Sequence, residues 1–141
     1  DVAAAGNRIL GVFAGAQYTA SDGEVKFVKY FPTGTATQAS GDVTAYIYDD
    51  PNIVFAVQSA GSADFADIGN LADIVAGSGD TTTGQSRFEI SGTTGTGTAG
   101  LRILRKFDSP KNEYGTNGIL EVTIHEHELN QHIDADGTVG V

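Results

Sequence analysis

Three histidines stand close together near the end of the sequence, His125, His127 and His132, interspersed with Glu126, Glu128, Asp134 and Asp136. Imidazole nitrogens and carboxylate oxygens are common ligands of divalent metals, and this is the densest set of them in the chain. Two histidines one residue apart on a strand project from the same face, so His125 and His127 have the spacing with which many β-barrel metal sites obtain their first two ligands. The rest of such a site is missing. The nearby candidate positions hold Gln131 and His132, and no histidine exists elsewhere. The zincin spelling H-E-x-x-H fails too, because the required positions hold Leu129 and Gln131. Histidines and glutamates at a strand terminus then read as a solvated or interfacial end, and no cofactor is expected.

Other spellings lack their context. Gly95-Thr96-Gly97-Thr98-Ala99-Gly100 fits G-x-G-x-x-G, but those glycines bind a pyrophosphate only where they open a helix, and a period-two strand follows here. Asp134-Ala135-Asp136-Gly137 resembles the opening of a calcium loop without its third acidic position or closing Glu. Asp49-Asp50 is explained by an Asx-type turn. No Ser-His-Asp set stands out among the scattered hydroxyls and acids. Arg102, Arg105 and Lys106 form a local basic spot on one strand, read as contacts to an acidic neighbour because basic residues are scarce.

That scarcity limits the partners. Eight Lys and Arg stand against eighteen Asp and Glu, a formal charge of -10, which repels phosphate backbones, so nucleic acid is not expected. Without cysteine there is no disulfide, thiolate zinc site or cysteine nucleophile, and rigidity must come from packing, backbone pairing or assembly. No apolar run has the length to cross a bilayer, so no membrane association is expected. Residues 9–16 match a signal-peptide core in length, yet only Arg8 precedes them and they run on into Gln17-Tyr18-Thr19 as a strand would.

The elements that must position these residues are β-strands. With 141 residues and 19 Gly, the chain reads as a single all-β domain, a compact barrel or sandwich. It is expected to hold about eight short strands joined by turns. Residues 1–8 are read as a flexible arm, 9–128 as the β core and 129–141 as a tail. Strands are expected over 8–19, 24–31, 86–90, 101–107 and 119–127. The first two form a hairpin through Ala20-Ser21-Asp22-Gly23. In 119–127, Leu120, Val122 and Ile124 point one way and Glu121, Thr123 and His125 the other. Residues 59–79 are ambiguous and are read as a helical turn near 63–69 followed by a strand near 72–76. The centre is placed at 44–58, where two strands flank Asp49-Asp50-Pro51-Asn52. The second, with Ile53, Phe55 and Val57 on one face and Val54 and Ala56 on the other, is expected inside the core or an interface.

Several phrases together carry a resemblance. They are Gly6-Asn7-Arg8-Ile9-Leu10-Gly11-Val12-Phe13, Tyr46-Ile47-Tyr48-Asp49-Asp50-Pro51-Asn52-Ile53-Val54-Phe55-Ala56-Val57-Gln58, Leu101-Arg102-Ile103-Leu104, Asn112-Glu113-Tyr114-Gly115 and Val122-Thr123-Ile124-His125-Glu126-His127-Glu128. In this order they resemble the head decoration, or cement, proteins of tailed bacteriophages. The resemblance implies a β-rich, non-enzymatic virion protein on the outer surface of an icosahedral capsid. It would tie together major capsid protein subunits of the HK97-fold type, often as a homotrimer on threefold positions. It does not imply metal ligation, since this chain has His125 where such proteins have Asn before Glu-His.

The expected partner contacts are the arm with Arg8, the aromatics Tyr46, Tyr48 and Tyr114, the basic residues Arg102, Arg105 and Lys106, and the terminal segment from His125 through His127. Two rival readings remain at this stage. One is a small cupin-like metalloprotein using His125 and His127; the other is a glycan-binding adhesive β-module gripping sugars with exposed Tyr and Asp.

Overall fold

Residues 8–31, 34–38, 42–80, 82–92, 94–95 and 99–129 are described by the computed structural model. The fold is all-β, and its antiparallel sheets have a sandwich-like arrangement. In chain order the strands are β1 (Val12–Thr19), β2 (Val25–Val28), β3 (Val43–Tyr48), β4 (Phe55–Gln58), β5 (Ser62–Ala63) and β6 (Leu71–Ala72). There follow β7 (Ile74–Val75), β8 (Glu89–Ile90), β9 (Leu101–Lys106), β10 (Gly115–Thr116) and β11 (Ile119–Ile124). The shortest strands hold two residues each, which is why the described residues contain eleven strands where about eight were expected.

The organising strand is β11. It pairs with β4 on one edge and β9 on the other, and β6 extends the sheet to the order β4-β11-β9-β6. Its alternation is the expected one: Leu120, Val122 and Ile124 are buried, and the residues between them are half-buried. With Leu101 and Ile103 of β9, Ala63, Ala72, Ile90 and Ile9, they make the hydrophobic core, against which Phe55, Val57, Ile68 and Ile74 pack. Each large aliphatic side chain withdrawn there from water contributes about 1.5–3 kcal/mol. On β9, the register with β11 slips between Ile103 and Arg105, leaving Leu104 as the extra residue of a bulge. Leu104 and Arg105 therefore both face solvent, where strict alternation would have turned Arg105 towards the core.

The second sheet has the order β2-β1-β3, and none of its residues belongs to that core. It covers a small cluster of its own, with Ala16, Tyr18 and Ala20 buried and Phe31 edge-on to the Tyr18 ring at 5.3 Å between centroids. The chain is fastened just ahead of β1. Ile9 N–H donates to the Glu126 carbonyl (2.9 Å), Glu128 N–H donates to the Ile9 carbonyl (3.0 Å), and the Ile9 side chain enters the core. Residues 9–16 thus hold one core anchor and the first half of β1. Farther along, the Tyr30 ring lies so close over Gly84 that a Cβ there would overlap it.

Residues 44–58 differ from expectation. β3 and β4 do not pair with each other; β3 joins β1 and β4 joins β11, so the turn between them carries the chain from one sheet to the other. The turn itself is of the expected kind, with Asn52 N–H donating to Asp50 Oδ1 at 2.8 Å. Of the two strands, β3 is exposed along its whole length and β4 is half-buried on one face only. A strand apolar on both sides was expected inside the core or an interface; within this chain only Phe55 and Val57 are packed against the core. Residues 59–79 follow the expectation, with a 3-10 turn at Phe65–Asp67, capped reciprocally by Asp64 and Asp67, ahead of β6 and β7. The strand expected over 86–90 is reduced to Glu89–Ile90, because Ser86 Oγ accepts from Phe88 N–H (3.2 Å) and turns the backbone locally.

Candidate binding surface

The residues singled out in the sequence fall into separate groups. The first lies at the C-terminal end of β11. That strand stops at Ile124 because His125 N–H (2.8 Å) and Glu126 N–H (3.3 Å) both donate to the Gly100 carbonyl, which breaks the ladder. The alternation that would have placed His125 and His127 on a common face therefore no longer applies. His127 is 1% exposed, paired by a bridge with Ile9, and its Nδ1 accepts from Leu129 N–H at 3.1 Å. Its Nε2 is buried without a hydrogen-bond partner among the described residues. His125 is half-buried. Among the described residues no group of three or more His, Cys, Asp or Glu could hold a metal ion. The expectation of outward, contact-making histidines is corrected for His127, which is part of the clasp around Ile9. The remaining members of that constellation, His132, Asp134 and Asp136, lie outside the described residues, as do the calcium-like spelling at 134–137, the tail from 130 onward, and residues 1–7 of the arm. Arg8, half-buried, directly precedes the clasp.

The second group is the basic spot on β9, and it is largely occupied from within. Arg105 Nε donates to Glu121 Oε2 at 2.7 Å across the β9–β11 rung, and this carboxylate raises the guanidinium's pKa further. Lys106 Nζ donates to the Asn112 carbonyl at 2.7 Å and stands 5.6 Å from the centre of the Tyr114 ring, a cation–π distance. Tyr114 in turn meets Phe65 edge-on at 6.3 Å. Lys106 and Tyr114, predicted separately, thus form one unit, whose acidic neighbour is Glu113 of the same chain at 4.0 Å. Arg102 is exposed, and no partner for it exists among the described residues.

The third group is on β3. Tyr46 donates its hydroxyl to Gln17 Oε1 of β1 at 2.8 Å, and Tyr48 stands exposed two residues on. Tyr46 and Tyr48 lie on the second sheet, whereas Arg102, Arg105 and Lys106 lie on the first.

Sequence reading missed two features. Around Tyr46 and Tyr48, Val12, Val25 and Phe27 are also exposed. The alternation of 25–29 was visible, but nothing in it says that the apolar half stays uncovered. An open cleft of about 560 Å³, lined by Gln58, Gly77, Ser78, Ser86, Arg87, Phe88 and Glu89, had no local signal. There Gln58 Nε2 donates to Glu89 Oε1 (2.8 Å) and Asn117 Oδ1 (3.4 Å). The Gly-Thr loop leads into β9, and no helix opens after Gly100, so the pyrophosphate-binding context is absent there.

Comparison with family models, with curated proteins and with solved structures finds no match to this chain.

Proposed function

We propose that the protein is a non-enzymatic structural component of a bacteriophage head, binding the outer surface of the assembled capsid and cementing neighbouring HK97-fold major capsid subunits as a trimer. The observation that carries this reading is the sheet β2-β1-β3. It stands outside the hydrophobic core yet keeps apolar and aromatic side chains in solvent along β3 and β2. A sheet that leaves most of its apolar side chains outside the main core is free to be covered by something else. β3 is also an edge strand with neither charge nor proline among its six residues, the devices by which edges are usually kept from pairing. Repeated by the symmetry of a shell, many weak contacts of this kind add up through multivalency. A binder that prefers assembled subunits stabilises the shell by mass action.

Neither rival draws support from a particular observation. A cupin-like centre needs more ligands than His125 and His127, and among the described residues no group of three or more His, Cys, Asp or Glu could hold a metal ion. Tyr46 and Tyr48 suit a glycan no better than a protein surface. The test is whether the protein co-purifies with capsids at a fixed copy number per shell; a variable or negligible ratio contradicts the proposal.

A further inference from the structure

The sheet β2-β1-β3 has two unlike faces. Cross-strand partners share a face, and the register therefore puts Val12, Val25, Phe27, Tyr46 and Tyr48 on one side and Ala16, Tyr18 and Val28 on the other. The second side is closed over Tyr18 by Phe31, and the apolar residues it leaves exposed, Phe13, Val43 and Ile47, are none of them more than 45% exposed. The first is open: Phe27 is 71% and Tyr48 57% exposed. Large, stiff aromatic side chains of this kind lose little entropy on being covered, which is why they anchor interfaces.

Charge decides what can cover this face. Asp42 precedes β3 on the same alternation as Tyr46 and Tyr48, and Asp22 sits at the tip of the β1–β2 hairpin, so that end is acidic. Asp49 and Asp50 follow Tyr48 directly, so the other end is acidic too. On the basic side, Lys29 stands beside Gly15 at the margin, and Lys26 belongs to the opposite face, where it pairs with Glu24 at 3.3 Å. A second copy of this chain laid face to face would bring carboxylate against carboxylate whichever way round it lay, on a molecule already carrying a net charge of -10.

We infer that this face docks on a different protein, whose surface is apolar at the centre and carries Lys or Arg at both ends, and that it is not where copies of this chain meet. The inference rests on the capsid reading only for the partner used in its test. It also sends any trimer contact to another part of the molecule.

The test is cosedimentation of the full chain with purified assembled shells over a range of salt concentrations, beside sedimentation velocity of the free protein. Wild-type binding is expected to weaken as salt rises. Phe27→Ser with Tyr48→Ser should weaken it roughly thirtyfold or more, as loss of two anchors does. Asp42→Lys with Asp49→Lys should weaken it at low salt by about tenfold and abolish its salt sensitivity. Both variants should keep the wild-type oligomeric state and circular dichroism. If wild type binds and both variants bind equally well, the face is not the contact, and the capsid reading survives without it. If Phe27→Ser with Tyr48→Ser instead dissociates the free oligomer, the face joins copies of this chain and the inference is overturned. Displacement from shells by oligosaccharide, with no effect of salt, would assign the face to glycans and overturn it as well. Wild-type protein that ignores every shell removes both the capsid reading and the inference.

Discussion

Asn112 and Ile119 exchange hydrogen bonds as residues on paired strands do: Ile119 N–H donates to Asn112 Oδ1 at 2.9 Å, and Asn112 Nδ2 donates back to the Ile119 carbonyl at 2.7 Å. The second Nδ2 proton goes to the Phe107 carbonyl at 2.8 Å. A single buried side-chain amide thereby closes the loop between β9 and β11 and holds Lys106 and Tyr114 in place. Asn112→Ala should cost about 2–4 kcal/mol, because it leaves buried backbone groups unpaired. Asn112→Asp should be destabilising too, since it turns two donors into acceptors facing carbonyls. Urea unfolding of the three proteins checks both, and near-wild-type midpoints would contradict the role.

The division between core and displayed sheet predicts opposite results for two hydrophobic truncations. Ile103, 1% exposed, lies in the core, and Ile103→Ala should cost about 2–5 kcal/mol. Phe27→Ser should change stability by less than about 1 kcal/mol. If the two losses were equal in thermal or chemical unfolding, the face that bears Phe27 would be covered within the free protein and not displayed.

Asp80 gives a pH dependence of known sign. Its Oδ1 accepts from Thr82 N–H (2.8 Å) and Thr83 N–H (3.3 Å), and these backbone bonds hold its pKa below the ordinary aspartate value. A carboxylate whose pKa is depressed by folding contributes stability above its unfolded pKa and loses it as the pH falls through the folded one. The advantage of wild type over Asp80→Asn should therefore be present near neutrality and vanish on acidification below pH about 4. Paired thermal melts across that range measure it; a constant difference would contradict the assignment.

The histidines make a separate prediction. With no group of three or more metal-ligating side chains gathered among the described residues, His125→Ala combined with His127→Ala should leave the metal-to-protein ratio of purified protein unchanged. Elemental analysis decides it, and a stoichiometric metal lost in the double variant would revive the metalloprotein reading.

Much of the fold was legible because local patterns act locally. Leu120, Val122 and Ile124 alternate with polar residues, and β11 buries those three side chains. Ala20-Ser21-Asp22-Gly23 turns the chain as its residue types require, with Gly23 N–H donating to the Ala20 carbonyl at 2.9 Å. What was not legible depends on distant partners. Whether Phe55 is covered, or Tyr48 bare, is decided by which strand each joins, and that pairing spans more than sixty residues for β4 and β11. The Leu104 bulge and the Gly100 carbonyl that stops β11 likewise arise between strands. They are what turned Arg105 outward and ended the strand alternation before His125 and His127. The surface had to be read from the register, since Val12, Phe27 and Tyr48 come from three strands and share no local pattern.

The central claim is that the displayed sheet exists to be covered by an assembled shell. Binding of purified protein to expanded and to unexpanded shells tests it most directly. The account predicts saturable binding, at a fixed number of copies per particle, to at least one of the two forms. Equal failure to bind both, by a protein that remains folded in solution, would contradict it.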